Sequence, residues 1–405
     1  MTRREWLYLA GSSALLAQEK AARPDLQSRI AHTIHAYEEQ GAHRTGTIVD
    51  EISGDWLAAE VRKTGLTPSR ETFQISRVDP VTASISIDGR RIEGIPLFDG
   101  SFTGPSGNAG SLGVLGTDAP IGLTEGAPNT AGAGPIGEAR RQSRHRAIVL
   151  ITRGGRPGLC PSNADRFLNP FGPPVLQVSS EVADALNDVA MRGSEVTLFA
   201  QVKRTPAEAF NVIASVPGTN RALLPLVVMT PRSGWWSCAS ERGGGIACWI
   251  ELMRAMRGFK PARDVIFVAS SGHEIGYRGI EIFTERRLAL VKGSRAWIHL
   301  GANIGAAQQS GNTVQASDDE METMLANAMT VQSLAINRRV PRGTIPGGEA
   351  GVVHRGGGRY MSLIGSNLLF HNPSDRGPEA IDSRAIARFV SALTAVAQSL
   401  ARQGD

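Results

Sequence analysis

The sequence predicts an α/β protein in which a sheet carries helices on both faces, with a smaller β-rich module inserted. After residue 210, strand-like apolar runs alternate with helix-like runs, which is typical of such sheets. Between residues 86 and 204, short strand-like runs are separated by turn residues and a single helical run, which predicts a compact β-rich module. A chain of 405 residues is long enough for one large domain and a smaller one.

The chain before the module predicts two helices and a strand. In the first helix, apolar side chains recur at helical spacing, namely at Leu26, Ile30, Ile34 and Tyr37. The second helix covers residues 52–61 and ends at Gly65, because glycine commonly terminates helices. Residues 83–87 alternate between apolar and polar side chains, which predicts a strand.

The module itself is predicted from four short runs and one long irregular segment. The runs comprise strands at residues 147–151, 174–178 and 196–199 and a helix at residues 181–192. Residues 100–137 are rich in Gly, Ala, Ser and Pro, so we expect a loop or a loosely ordered insertion there.

The second half predicts the alternation of strands and helices that defines the fold class. The expected strands are residues 211–216, 224–229, 265–269 and 297–300, and the expected helices are residues 245–256 and 383–400. In open α/β sheets, ligands bind at the carboxyl ends of the strands, so we expect a site there.

The first 18 residues have the pattern of an export signal. Arg3 and Arg4 precede an apolar run at residues 7–17, which is typical of the twin-arginine route. That run is too short to span a bilayer as an ordinary helix, which needs about 20 apolar residues. We therefore expect a periplasmic or extracellular protein that is not stably inserted in a membrane after signal removal. A simple amphipathic N-terminal helix is the alternative.

Composition argues against a nucleic-acid partner and against a cysteine-based metal site. The formal net charge is +5, but the basic residues are scattered and no aromatic residues are interleaved with them. The three cysteines, Cys160, Cys238 and Cys248, match no zinc-finger spacing. We expect all three to be buried as small apolar residues.

Residues 211–218, which read NVIASVPG, resemble the opening strand of the zinc aminopeptidases of metallopeptidase family 28. That superfamily includes glutamate carboxypeptidase-like enzymes and glutaminyl cyclases, and the later motifs follow in the same order. The resemblance implies a mixed central sheet flanked by helices, of the zinc-exopeptidase type, built from residues 19–85 and 205–405. The module at residues 86–204 resembles a protease-associated domain, which many members carry at this point.

The resemblance also implies a metal site that is only partly kept. Family members hold two zinc ions through five side chains, and three of those positions retain a ligand type here, as Glu241, Glu274 and His371. The other two positions have lost their ligands, because Thr230 replaces a histidine and Gly301 replaces an aspartate. The three retained side chains would make a shell for one zinc ion with a fourth position open to water.

Two further positions of the resemblance decide what such a site would do. His273 stands where the family has its general base, and an imidazole with a pKa near the reference value of about 6.5 suits proton transfer near neutrality. One hypothesis is therefore an exported hydrolase that cleaves peptide or amide bonds of peptide or aminoacyl substrates with one zinc ion. A cyclase-like use of the same site is a close variant.

The alternative hypothesis is a catalytically inactive relative that binds peptides or polymers. Arg232 occupies a position where the family has an acid, and Arg242 follows Glu241 directly. A guanidinium group there would neutralise Glu241 and Glu274 in place of a metal ion.

Three other polar residues near these motifs receive structural interpretations. His299 is interpreted as a buried structural histidine, with a substitute metal ligand as the alternative. Glu349 and His354 are interpreted as surface-loop residues, and the alternative, which the resemblance implies, is a place near the pocket in contact with substrate.

Overall fold

The computed structural model of the protein describes residues 25–402. The predicted export signal, residues 1–18, lies outside the described residues. Within the part of the chain that is described, no helix is long and apolar enough to cross a membrane.

The helices follow in chain order. They are α1 (Leu26–Glu38), α2 (Ile48–Lys63), α3 (Gly134–Gln142), α4 (Ala183–Arg192), α5 (Gly244–Phe259), α6 (Arg278–Glu285), α7 (Leu288–Lys292), α8 (Asp319–Val331), α9 (Ala350–Arg355) and α10 (Ser383–Ala401).

The strands are numbered in the same way. They are β1 (Ser69–Ile87), β2 (Arg90–Pro96), β3 (Asn108–Val114), β4 (Ile121–Gly126), β5 (Ala147–Thr152), β6 (Val175–Ser179), β7 (Glu195–Val216), β8 (Leu226–Pro231), β9 (Val265–Ser270), β10 (Ala296–Leu300), β11 (Asn312–Ala316), β12 (Arg338–Arg339) and β13 (Tyr360–Gly365).

The second half of the chain forms a mixed sheet with helices on both faces, which confirms the predicted fold class. Strands β9, β8, β10 and β13 are parallel neighbours, and β7 and β11 pair antiparallel at the two sides. One face carries the main core, which α5 and α10 supply with most of its helical residues. The opposite face packs against α6, α7 and α9. Consecutive side chains of a strand point to opposite faces of a sheet. In β7, accordingly, Val212 belongs to the main core and its neighbour Ile213 to the core on the opposite face.

Two long strands join the sheet to the inserted region. Strands β1 and β7 pair antiparallel over almost their whole length, from Ser69 opposite Ile213 to Ser86 opposite Thr197. The predicted strands 196–199 and 211–216 are therefore parts of one strand, because the polar residues between them pair with β1. The inserted region has its own core, but its division at residues 86–204 and its likeness to a protease-associated domain stay predictions.

The prediction of a loop at residues 100–137 is wrong. The segment contains β3, β4 and the start of α3. Small residues hide the strand pattern because close packing requires them: a Cβ atom at Gly113 would lie 2.7 Å from that of Ala119. Strand β4 is held by parallel pairing with the buried strand β5, a long-range interaction that overrides its weak local propensity.

The three cysteines are buried and unpaired, which confirms their interpretation as small apolar residues. They are Cys160, Cys238 and Cys248.

A glycine triplet at the start of α5 brings this helix against the sheet. A Cβ atom at Gly244 would lie 1.9 Å from the carbonyl oxygen of Ile304, and one at Gly245 would lie 2.8 Å from Thr230 Oγ1. Only glycine permits this approach, and it places the residues just before α5 over the carboxyl ends of the strands.

Substituting Gly244 by alanine should therefore lower the free energy of unfolding by about 3 kcal/mol, because the added methyl group has no space. Gly258 is the matched control in the same helix, since a Cβ atom there meets nothing within 4 Å. Alanine at position 258 should raise the free energy of unfolding by about 0.5 kcal/mol. Urea denaturation of both variants measures these changes, and equal effects would contradict this account of the glycine triplet.

Candidate functional site

The candidate site lies at the carboxyl ends of the parallel strands, as the sequence predicts. Thr230 is at the end of β8, His273 follows β9 and Gly301 follows β10. A cavity of about 360 Å³ opens here. Its wall includes Asn129, Asn163, His273, Tyr277, His299 and Phe370.

Glu241 and Arg242 form a buried ion pair beside this cavity. They lie in a single π-helical turn, Ala239–Gly243, that leads into α5. The carboxylate of Asp375 holds this turn, because it accepts hydrogen bonds from the backbone N–H groups of Ser240 (3.0 Å) and Glu241 (2.9 Å). The two side chains are each 1% exposed, and Arg242 Nη2 lies 2.7 Å from Glu241 Oε1.

The charge state of Glu241 follows from this pair. Burial alone would raise the pKa of its carboxyl group, but the guanidinium of Arg242 and the imidazole of His371 outweigh burial and hold it at about 2. Glu241 is therefore ionised at neutral pH, and its charge is balanced by a side chain of the same turn.

The imidazole of His371 lies near the same carboxylate oxygen of Glu241 as the guanidinium of Arg242. Its Nδ1 donates a hydrogen bond to the carbonyl oxygen of Pro161 (2.5 Å), so its Nε2 points towards Glu241 Oε1 at 3.4 Å. The backbone at His371 has a φ of 57°, in the left-handed region that non-glycine residues seldom adopt. Two of the three predicted ligands thus meet.

Glu274, the third predicted ligand, is held elsewhere. Its Oε1 accepts a hydrogen bond from the backbone N–H of Thr45 (2.6 Å), and its Oε2 accepts one from Ser233 Oγ (2.8 Å). The side chain is fully buried in this arrangement. Its carboxylate serves to fix the loop between α1 and α2.

The side chains as they lie do not fit a zinc ion. A zinc shell needs three or four ligand atoms converging on one point. Here Glu241 is directed at a guanidinium, and both oxygens of Glu274 accept hydrogen bonds. Among the described residues, no group of three or more His, Cys, Asp and Glu side chains is arranged to hold a metal ion.

Arg232 points away from this centre. Its Nη1 lies 2.8 Å from Asp50 Oδ1, and its Nη2 donates to the carbonyl oxygen of Phe210 (2.7 Å). Of the two arginines that could neutralise the glutamates, Arg232 therefore does not, because its guanidinium is paired with Asp50 on α2. Arg242 is the guanidinium that pairs with Glu241.

The two positions at which the resemblance implies a missing ligand are closed by packing. Thr230 Oγ1 donates a hydrogen bond to the carbonyl oxygen of Leu300 (3.0 Å). A Cβ atom at Gly301 would lie 2.6 Å from Ile364 Cγ1. Neither position retains room for a histidine or an aspartate without movement of its neighbours.

Two imidazoles in the cavity wall are held in the neutral form. Burial, and after it the positive charge of Arg242, lower the pKa of His273 well below its usual value. The same two causes lower the pKa of His299 to about 3. His299 is buried with its Nδ1 2.8 Å from Ser362 Oγ, as a structural histidine should be, but it also lines the cavity.

Glu349 is a buried residue of this site, so its interpretation as a surface-loop residue is wrong. Its Oε1 accepts a hydrogen bond from Ser270 Oγ (2.6 Å) and lies 3.5 Å from His273 Nδ1. Burial raises the pKa of its carboxyl group to about 7. Its loop packs over the end of β9, a long-range contact that has no local sequence signal. His354 instead lies next to Tyr360 (Nδ1 to hydroxyl 3.2 Å) and does not line the cavity.

Comparison with known proteins identifies the fold. A zinc aminopeptidase from Bacillus subtilis has a TM-score of 0.78 at 17% identity, over 93% of this chain and 95% of that one. A family 28 peptidase precursor from Shewanella amazonensis has a TM-score of 0.71 at 17% identity, over 96% and 95%. An aminopeptidase from an Aneurinibacillus strain has a TM-score of 0.69 at 14% identity, over 94% and 95%. Neither the protein-family models nor the curated proteins give a match.

Replacing Glu349 by glutamine should stabilise the protein at alkaline pH. The folded protein keeps the proton on Glu349 up to pH of about 7, whereas the unfolded chain loses it near the usual pKa of 4.5. Folding is therefore penalised increasingly as the pH rises from 4.5 to 7, and the glutamine removes this penalty.

Glu349→Gln should raise the free energy of unfolding by about 2 to 3 kcal/mol more at pH 8 than at pH 4.5. Urea denaturation of both proteins at the two pH values measures this difference. The exposed Glu93 supplies the control, since Glu93→Gln should give the same small change at both pH values. A gain for Glu349→Gln that does not depend on pH would contradict the raised pKa.

The shared architecture covers nearly the whole length of each compared chain. The protein therefore has the fold of the zinc aminopeptidases and the other peptidases of family 28.

Proposed function

We propose that this protein binds peptide-like ligands without a metal ion, on the fold of a peptidase. One observation carries the proposal: the guanidinium of Arg242 lies 2.7 Å from Glu241, one of the predicted metal ligands. A side-chain cation thus takes the electrostatic role that a metal ion would have at this carboxylate.

The surrounding charges support this proposal. A zinc ion near Glu241 would also lie near the fixed positive charge of Arg242, and like charges repel strongly where water is excluded. Arg242 is 1% exposed, so solvent screens this repulsion little. Glu274, which would have to offset the repulsion, is engaged with Thr45 and Ser233.

The cavity suits a short peptide or a similar amide. Its volume of about 360 Å³ lies at the lower end of the range of small-ligand sites. The wall combines amide and imidazole groups, such as Asn163 and His273, with the apolar side chains of Ile364 and Phe370. Such a mixture is typical of sites that recognise an amide backbone and an apolar side chain together.

A second candidate function is hydrolysis of peptide or amide bonds with one zinc ion held by Glu241, Glu274 and His371. The observation that favours it is the pair formed by His371 and Glu241, whose Nε2 and Oε1 atoms lie 3.4 Å apart. His371 Nε2 has no hydrogen-bond partner among the described residues. His273 would be the base of this reaction, although its lowered pKa makes it a weak one.

Metal analysis separates the two functions. We expect the chain, purified without chelator, soaked in excess zinc and desalted, to retain far less than one zinc ion per chain. His371→Ala should change neither this value nor the absence of hydrolysis of alanine p-nitroanilide. About one zinc ion per chain that disappears in His371→Ala would establish the zinc hydrolase instead. The binding function also fails if no dipeptide binds the cavity.

We further propose that the protein is exported by the twin-arginine route, on the strength of Arg3 and Arg4 before the short apolar run. Replacing both arginines by lysine should leave the protein unprocessed in the cytoplasm of the producing bacterium. Arg23→Lys is the control, because it lies beyond the signal. Cell fractionation and immunoblotting give the readout, and normal export of the double variant would refute the route.

A further inference from the structure

We propose that the cavity binds a carboxylate of its ligand, with the C-terminal end of a peptide directed towards His273, His299 and Asn163. This inference rests on the proposed binding function and specifies its ligand. A free amino group, which an aminopeptidase takes into its site, is the group that this cavity disfavours.

Two asparagines present hydrogen-bond donors to the cavity. The side-chain oxygen of Asn163 accepts a hydrogen bond from Trp235 Nε1 (3.0 Å), and that of Asn129 accepts one from the backbone N–H of Asn163 (3.1 Å). Because each oxygen is occupied, the NH₂ groups remain, and the described residues supply no partner for either. Both asparagines line the cavity, so their NH₂ groups are available to donate hydrogen bonds to a ligand there.

A positive charge lies behind the two imidazoles of the wall. Arg242 is fully buried, and its Nη1 has no hydrogen-bond partner among the described residues. It lies outside the cavity lining and is paired with Glu241 at 2.7 Å. The pair is close to neutral overall, so the preference for an anionic ligand group comes from the hydrogen-bond donors of the wall and not from this charge.

The ring nitrogens of these histidines are also unpartnered. His273 Nδ1 and His299 Nε2 are buried and make no hydrogen bond with any described residue. A buried polar atom without a hydrogen-bond partner destabilises the folded protein unless a ligand or a water molecule supplies the partner. A carboxylate offers several acceptor positions, and a neutral imidazole donates through one of its two nitrogens.

The negative groups nearby do not cancel this preference. No Lys, Arg, Asp or Glu of the described chain lines the cavity. Glu241 is paired with Arg242, and burial raises the pKa of Glu349 to about 7, so Glu349 is mostly uncharged at pH 6. Asp165 does not line the cavity, but it lies near Tyr277, whose pKa is raised by burial and, to a smaller extent, by the charge of Asp165. Burial also raises the pKa of Asp165 itself.

Three forms of one dipeptide test the inference by calorimetric titration at pH 6. These are alanyl-phenylalanine, its N-acetyl derivative, which lacks the ammonium group, and its C-terminal amide, which lacks the carboxylate. Acetylation should leave the affinity within about twofold, and amidation should lower it at least about tenfold, since charge-assisted hydrogen bonds are lost. The phenyl group is chosen because Ile364 and Phe370 provide an apolar wall.

Asn163→Asp tests the contact with the carboxylate. The substitution keeps the oxygen that accepts from Trp235 but replaces the NH₂ donor by a negative oxygen. It should lower the affinity for the two carboxylate-bearing forms at least about tenfold and leave the amide unaffected. Asn129→Asp, at an exposed position, is the second variant in case the first does not fold. Asn220→Asp is the matched control, because the half-buried Asn220 lies outside the cavity lining and uses its oxygen to accept from Ala222 N–H.

The possible outcomes separate this inference from the proposed function. Equal affinity for all three forms, or loss of binding on acetylation alone, overturns the carboxylate inference and leaves peptide binding in place. Failure of all three forms to bind overturns the inference and the binding function together. Hydrolysis of the amide with stoichiometric zinc overturns the metal-free function first.

Discussion

The buried ion pair between Arg242 and Glu241 is the interaction on which the rest of the site depends. Breaking such a pair by removing one partner typically costs about 3 to 5 kcal/mol, because the other charge is left buried and uncompensated. Asp375 holds the backbone of the turn and Gly244 lets the following helix approach Ile304, so the pair is fixed from several elements. Glu241, for which the resemblance implies metal binding, thus has a charged partner in its own turn.

The charge of Arg242 also affects the pKa values of the ionisable side chains around the cavity. The charge of Arg242 adds to burial in keeping His273 and His299 neutral, and it only partly offsets the burial that raises the pKa of Glu349. An imidazole with so low a pKa is a poor general base, although the same position in a family enzyme carries the base. Under the proposed function, the lowered pKa of His273 and the buried charge of Arg242 both disfavour hydrolysis at this site.

Features that depend on local sequence pattern could be predicted from the sequence alone. Features that depend on contacts between residues far apart in the chain could not. Apolar runs predicted β7 to β10 of the main sheet but not β11, β12 or β13. The motifs of the resemblance placed Glu241, His273 and His371 at one edge of the sheet. No local signal showed that Asp50 would bind Arg232. The burial of Glu349 also had no local signal, because it results from the long loop that places this residue over the end of β9.

The two positions at which the resemblance implies missing ligands are filled by packing. Thr230 bonds to the carbonyl oxygen of Leu300, and Gly301 lets Ile364 and His299 pack where an aspartate would stand. A Cβ atom at position 301 would lie 2.6 Å from Ile364 and 3.0 Å from the ring of His299. Restoring one ligand would therefore displace the packing and still leave Arg242 beside Glu241. Under the proposed metal-free function, the packing at Thr230 and Gly301 and the pairing of Arg242 with Glu241 favour the same arrangement.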